Sequence, residues 1–177
     1  MCGIVGIYLK TKKFENNLGK MLSGMLNNME SRGPDSAGFA IYKNSDRKEY
    51  KYSLCINNLD FSKFKKNISQ KIKNLKLNQY SDHVILKTTE KPKKFINLIN
   101  KEFPEISIVG YGHSIEIFKQ VGNPKDVVKK FNLESFSGTH GIGHTRMATE
   151  SAITTDGSHP YSTGEDECLV HNGSLSN

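Results

Sequence analysis

Cysteine at position 2 follows only the initiator methionine, so trimming of Met1 leaves a thiol and a free α-amine on one residue. Their ordinary pKa values, about 8.5 and about 7.7–8.0, both lie close to working pH. An amine held neutral within reach of the thiol, directly or through one water, takes its proton as sulfur attacks a carbonyl and then returns a proton to the leaving group. Amide cleavage is the reaction class this chemistry serves. Asn172-Gly173 offers a side-chain amide beside a backbone N–H. Such donors stabilise a developing oxyanion, at about 2.7–4 kcal/mol for one donor by mutational precedent. If the substrate is a free amino acid, its carboxylate calls for a guanidinium with a nearby hydroxyl, and Arg146 and Thr149 supply that pair.

These groups need rigid elements to carry them. Residues 2–9 read as a short strand, apolar on both faces and buried, with the cysteine at its exposed end. Leu18, Met21, Leu22, Met25, Leu26 and Met29 recur at offsets of three and four, which predicts an amphipathic helix over 15–31 with the methionines as core filler. Ser31-Arg32-Gly33-Pro34-Asp35-Ser36-Ala37-Gly38 breaks that helix and leads into a strand at 39–42. By its residues alone the turn reads first as punctuation, the alternative being that Arg32, beside Gly33 in the sharp bend, supports a neighbouring site. The stretch 138–146 is glycine-rich but β-like and delivers Arg146 at its far end, while a strand over 167–170 ends at His171-Asn172-Gly173.

The middle of the chain, 43–135, alternates strand-like pieces (50–56, 83–88, 106–111, 114–118) with three helical pieces marked by Phe61 to Leu75, Phe95 to Phe103 and Val127 to Phe131. Gly110-Tyr111-Gly112-His113 lacks the spacing of a phosphate loop and reads as a tight turn between strands. His83 and His113 read as surface or strand-end residues. Lys and Arg outnumber Asp and Glu by 25 to 18, a formal charge of +7, but much of the excess lies in lysine-rich helical stretches without an aromatic platform. That pattern is a solvated face and argues against nucleic acid. Cys2, Cys55 and Cys168 have no metal-ligand spacing and no disulfide framework, so no metal is expected and a reducing, cytoplasmic setting is. Neither a signal peptide nor an apolar run of membrane-spanning length is present.

Four stretches in this order, M-C-G-I-V-G-I, S-R-G-P-D-S-A-G, G-H-T-R-M-A-T and H-N-G, resemble a class II glutamine amidotransferase domain of the N-terminal-nucleophile hydrolase superfamily. The resemblance implies an α+β fold, a four-layer αββα sandwich of two antiparallel sheets, and hydrolysis of L-glutamine to glutamate and ammonia. It implies Cys2 as nucleophile with its own α-amine as base, Arg146 and Thr149 on the glutamine carboxylate, and Asn172 with Gly173 as oxyanion hole. Arg32 and Gly33 match the turn that lies against the nucleophile, and His144 matches a position next to the site. The longer match G-H-T-R-M-A-T-E-S-A-I-T-T-D-G-S-H-P-Y is similar to the glutamine-hydrolysing subunits related to glutamate synthase and N-methylglutamate synthase. A synthase subunit or domain that receives the ammonia is therefore the implied partner, and no cofactor is expected in this chain. An oligomer is compatible with this reading.

The resemblance covers about 2–42 and 138–177, so one domain with a variable insertion at about 43–135 is expected. Members of the family continue well beyond H-N-G, with further strands and an aspartate for the glutamine amine, whereas this chain stops at Asn177. The sandwich is accordingly expected to be incomplete at the C-terminus, with the chain a piece of a longer protein. Two rival readings are a non-catalytic scaffold that keeps the fold and a terminal-cysteine hydrolase of another amide. A retained Met1 would favour the first, and the carboxylate clamp at Arg146 argues against the second.

Overall fold

The computed structural model describes residues 1–45, 47–57, 59–148 and 152–173. Its elements run β1 (Gly3–Tyr8), α1 (Leu18–Asn28), β2 (Ser36–Tyr42), β3 (Tyr50–Cys55), α2 (Phe61–Lys71), β4 (Lys76–Tyr80), β5 (His83–Thr88) and α3 (Pro92–Glu102). They continue with β6 (Ser107–Gly112), β7 (Ile115–Val121), α4 (Pro124–Lys130), β8 (His140–Arg146), β9 (Tyr161–Gly164) and β10 (Glu167–Leu169).

Two four-stranded antiparallel sheets form, in the orders β1-β8-β2-β7 and β4-β5-β3-β6, and β9 and β10 make a separate hairpin. Alternation along the strands decides what each face meets. In the first sheet Val5, Ala37, Phe39 and Ile41 pack under Leu18, Leu22 and Leu26 of α1 and Val127 and Val128 of α4. Its opposite face sends Ala40, Ile115 and Ile117 against Cys55 and Val109 of the second sheet. On the far side of the second sheet, Phe64 and Ile68 of α2 and Phe95 and Ile99 of α3 cover Tyr52, Leu54, Val84 and Leu86. The order is helix, sheet, sheet, helix, an α+β layered fold consistent with the expected sandwich. Each fully buried Leu, Ile or Phe contributes about 1.5–3 kcal/mol, and the three clusters make the layers mutually dependent.

The second sheet comes wholly from 50–112. There β3-α2-β4 and β5-α3-β6 interlock: β5 lies between β3 and β4, and β3 lies between β5 and β6. This is the split βαβ, ferredoxin-like arrangement. Asp60 caps α2 by accepting from the Lys63 N–H at 2.8 Å, and Pro92 occupies the first turn of α3, where a missing N–H costs nothing. After β6 the chain returns to the first sheet through β7 and α4.

Several expectations change in detail. The helix expected over 15–31 is an α-helix only at Leu18–Asn28, flanked by 3-10 turns at Lys12–Asn17 and Glu30–Arg32. Strand β1 is not buried on both faces: Val5 is 5% exposed, but Ile4 is 44% and Tyr8 72% exposed. Its second face shares the side of the sheet that carries Cys2, and the described residues leave it open. β4 escapes a periodicity reading because Lys76, Asn78 and Gln79 are polar and exposed, as suits a sheet edge. His83 and His113 both stand at strand ends, but neither is a surface residue. His83 is fully buried, its Nδ1 3.0 Å from Asp82 Oδ1, and His113 Nδ1 lies 2.8 Å from the Glu49 carbonyl. Among the described residues no helix is long and apolar enough to cross a membrane.

Candidate active site

Register brings the terminal cysteine and the arginine together. In the β1–β8 ladder Gly3 lies opposite Thr145 and Ile4 opposite His144. One step further, Cys2 and Arg146 leave neighbouring strands at the same end of the sheet and on the same face. Cys2 Sγ lies 3.8 Å from the Met147 carbonyl, a long contact that leaves the thiol loosely held. The Met1 α-amine lies 2.8 Å from Met147 Sδ, and Met1 itself is 75% exposed. From the other side, Asn172 Nδ2 donates to the Cys2 carbonyl at 3.2 Å. A carboxamide nitrogen carries two hydrogens, so one N–H of Asn172 is committed here and the other is not required by this bond. Gly173 follows, exposed like Asn172.

Arg146 is buried, and its Nη1 donates to the Ala152 carbonyl at 3.2 Å. Thr149, its expected partner, lies outside the described residues. The turn before β2 holds the end of β8 in place. Asp35 N donates to the Arg146 carbonyl at 3.0 Å, Asp35 Oδ2 accepts from Ala148 N at 2.7 Å, and Gly122 N donates to the Asp35 carbonyl at 2.9 Å. Gly33 lies so close that a Cβ there would stand 2.4 Å from the carbonyl carbon and oxygen of Thr145 and 2.6 Å from Arg146 N. Arg32 ends its 3-10 turn with an exposed side chain, and none of the hydrogen bonds among the described residues joins it to Cys2.

The Gly33 contact is with backbone, which cannot swing aside. Gly33→Ala must therefore displace the end of β8 that carries Arg146, an overpacking cost of about 1–3 kcal/mol. For a chain of this size that corresponds to a fall in Tm of about 2–12 °C. Thermal unfolding of the variant measures it, and an unchanged Tm contradicts the close approach.

Two histidines, His144 and His159, back the site. Their ring centroids lie 4.1 Å apart with the planes tilted by 32°, and His144 Nε2 lies 2.9 Å from the His171 carbonyl. Burial pushes the His144 pKa down, partly opposed by its bond to His171 and reinforced by Arg146. Burial and the neighbouring His144, Arg146 and Lys119 push His159 down to about 3. Both rings are thus neutral at pH 7. Lys119 Nζ donates to the carbonyls of Asp156 and Ser158 at 3.0 Å each and ties the segment that carries His159 onto the sheet.

Asp35, His159 and Lys119 were not singled out by their types or spacing. Asp35 lies inside the S-R-G-P-D turn and was legible as a capping carboxylate in principle; the other two depend on a fold-back that leaves no local pattern. Away from this site, ligand atoms of Cys55, Asp82 and His83 lie within 4.8 Å of one another. There the Asp82 oxygens already meet His83 Nδ1 at 3.0 Å and Lys130 Nζ at 2.8 Å, while burial pushes the His83 pKa down and its Nε2 has no hydrogen-bond partner among the described residues.

No family model matches the chain. Along its whole length it is 45% identical, over 180 residues, to the glutamine amidotransferase-like protein GlxB of Rhizobium meliloti (strain 1021). It spans 60% of that relative's length. A shorter stretch of 65 residues, 36% of the chain, is 43% identical to the glutamine–fructose-6-phosphate aminotransferase (isomerizing) of Methanococcus maripaludis and covers 11% of it. The enzyme of the same description from Francisella tularensis subsp. tularensis is 38% identical over 73 residues, 41% of the chain and 12% of the relative.

Proposed function

We propose that this chain, which carries a class II glutamine amidotransferase domain, hydrolyses L-glutamine to L-glutamate and ammonia, with Cys2 as its nucleophile once Met1 is removed. The observation that supports this most is the bond from Asn172 Nδ2 to the Cys2 carbonyl, with Arg146 on the adjacent strand. It brings the Asn172 amide, the Cys2 residue and the end of the strand with Arg146 to one end of the first sheet, which supports reading them as oxyanion donor, nucleophile and carboxylate clamp.

The freed α-amine takes the thiol proton as sulfur attacks the carboxamide carbon of glutamine. The oxyanion that forms is received by the second Asn172 N–H and the Gly173 N–H, donors aimed where the charge develops. Collapse breaks the C–N bond, the amine returns its proton, and the nitrogen leaves as ammonia. Water, deprotonated by the same amine, then attacks the thioester, releasing glutamate and restoring the thiol. Arg146, with Thr149, holds the glutamine α-carboxylate, and this bidentate contact selects a free amino acid. Ammonia passes to a synthase subunit or domain related to glutamate synthase, since in open water it would be protonated and lost as a nucleophile. The chain needs no cofactor for these steps. Its three cysteines, all free, suit a reducing cytoplasm.

The test is made on the full-length protein that carries this chain, by intact-mass measurement and assay of glutamate and ammonia from glutamine. The expected result is loss of Met1 and equimolar release of both products. Activity from molecules that all retain Met1 contradicts the mechanism. A trimmed protein that releases no glutamate, even with its synthase partner present, favours the non-catalytic scaffold instead.

A further inference from the structure

The segment that ends in Asn172-Gly173 is lightly held. It follows the short strand β10, and Asn172 and Gly173 are both exposed. Among the described residues its side-chain hydrogen bonds are two: His144 to the His171 carbonyl at 2.9 Å, and Asn172 to the Cys2 carbonyl at 3.2 Å. A carbonyl only accepts, so His144 Nε2 carries the hydrogen. The His171 carbonyl and the Asn172 N–H share one planar peptide. A donor held on the first therefore restrains the direction of the second and the place of the Asn172 Cα, from which the side chain reaches the Cys2 carbonyl.

We infer that His144 is a positioning residue for the oxyanion end of the site, acting through the His171–Asn172 peptide. The bonds run from β8 through His144, His171 and Asn172 to Cys2, the residue before β1, and the loop is closed by the pairing of Ile4 of β1 with His144. The inference rests on the oxyanion role proposed for Asn172 and Gly173.

His144 is itself held rigidly. It is fully buried within β8, with the His159 ring packed on it at a centroid distance of 4.1 Å and a tilt of 32°. The His159 segment lies directly on β2, where a Cβ at Gly38 would stand 2.2 Å from the His159 carbonyl oxygen, and Lys119 pins the same segment from β7. Burial keeps the imidazole neutral, the state in which one nitrogen donates and the other stays bare. That bare nitrogen, Nδ1, is buried with no hydrogen-bond partner among the described residues. An unsatisfied buried acceptor is costly, and an apolar residue at 144 would avoid that cost. The ring donor to His171 is what the position gains in exchange.

His144→Gln places an amide N–H near the position of Nε2, whereas His144→Asn places it near Nδ1, out of reach of the carbonyl. Both changes are polar and similar in size, so a difference between them reports the donor and not the loss of a ring. In the full-length protein, H144N is expected to lower kcat for glutamine hydrolysis by about 10²-fold, the scale of a misplaced catalytic group. KM for glutamine should stay within about threefold, because Arg146 is untouched, and H144Q should recover most of the loss. Alkylation of Cys2 by iodoacetamide should proceed at the wild-type rate in both. A kcat for H144N within about twofold of wild type, equal impairment of the two variants, or a loss confined to KM overturns the inference. Long-range imidazole 1H–15N spectra of the unaltered protein give a readout independent of activity. Hydrogen on Nε2 of His144 is expected, and an Nδ1–H tautomer or an imidazolium overturns the inference. If the unaltered protein releases no glutamate, the proposed function fails, while the spectra still decide whether the His144–His171 bond exists.

Discussion

Replacing Cys2 by alanine is expected to lower glutamine hydrolysis by more than about 10³-fold, the scale on which removal of a covalent nucleophile is felt. The loss should be chemical and not structural. The thiol's one described contact is the Met147 carbonyl at 3.8 Å, and Cys2 stands outside the β1 ladder. Stability should thus change by no more than about 0.5 kcal/mol, the range of surface substitutions. Glutamine binding should persist, because Arg146 is supplied by β8. Cys2→Ser keeps an oxygen in place of sulfur and should retain only a small residue of activity, since the hydroxyl is far less ionised at the same pH. A coupled assay for glutamate, with thermal unfolding alongside, separates the two effects. Undiminished glutamate release in Cys2→Ala, with any adjoining domain and partner supplied, removes the assignment.

The grouping of Cys2, Arg146 and Asn172 could be anticipated from the sequence because their chemistries complement one another and their motifs follow in a set order, each at the end of a strand-like stretch. Alternation did not carry it, since 2–9 reads as apolar on both faces, and the pairing of β1 with β8 is what sets Cys2 and Arg146 side by side. What the pattern could not reveal is the partner of each strand. Nothing local in Tyr50–Cys55 or His83–Thr88 says that 50–112 closes into a βαββαβ unit and serves as the second sheet. The exposed face of β1 was unreadable for the same reason: Ile4 and Tyr8 are apolar, and only the tertiary arrangement decides whether something covers them. Buried polar residues are harder still. His144, His159 and Lys119 look like surface residues by type, and their burial depends on the segment with His159 folding back over β2, where Lys119 of β7 holds it. Asp35 is intermediate, visible as part of a turn but with its three bonds to the ends of β7 and β8 knowable only in three dimensions.

Asn172→Ala is expected to reduce kcat by about 10²–10³-fold, the measured scale for removing one oxyanion donor, with a much smaller change in KM. The split follows from where the charges lie. In the proposed mechanism Asn172 meets the oxygen that becomes negative only after sulfur has attacked, so its N–H would contribute to the transition state and little to the bound amide. Arg146 would there meet a carboxylate that is charged throughout, so a change such as Arg146→Lys should appear chiefly in KM. In the substrate-free chain the Asn172 amide also bonds the Cys2 carbonyl at 3.2 Å, an exposed bond, and a typical bond of this kind contributes about 0.5–1.5 kcal/mol. Its loss lowers Tm by a few degrees at most, too little to mimic a hundredfold kinetic defect below the transition. Asn172→Asp should be at least as impaired as the alanine variant, since it removes the donor and sets a carboxylate against the oxyanion. Steady-state kinetics of the three variants distinguish these roles. A kcat unaltered in Asn172→Ala, or an Arg146→Lys defect confined to kcat, would require the donor and the clamp to be reassigned.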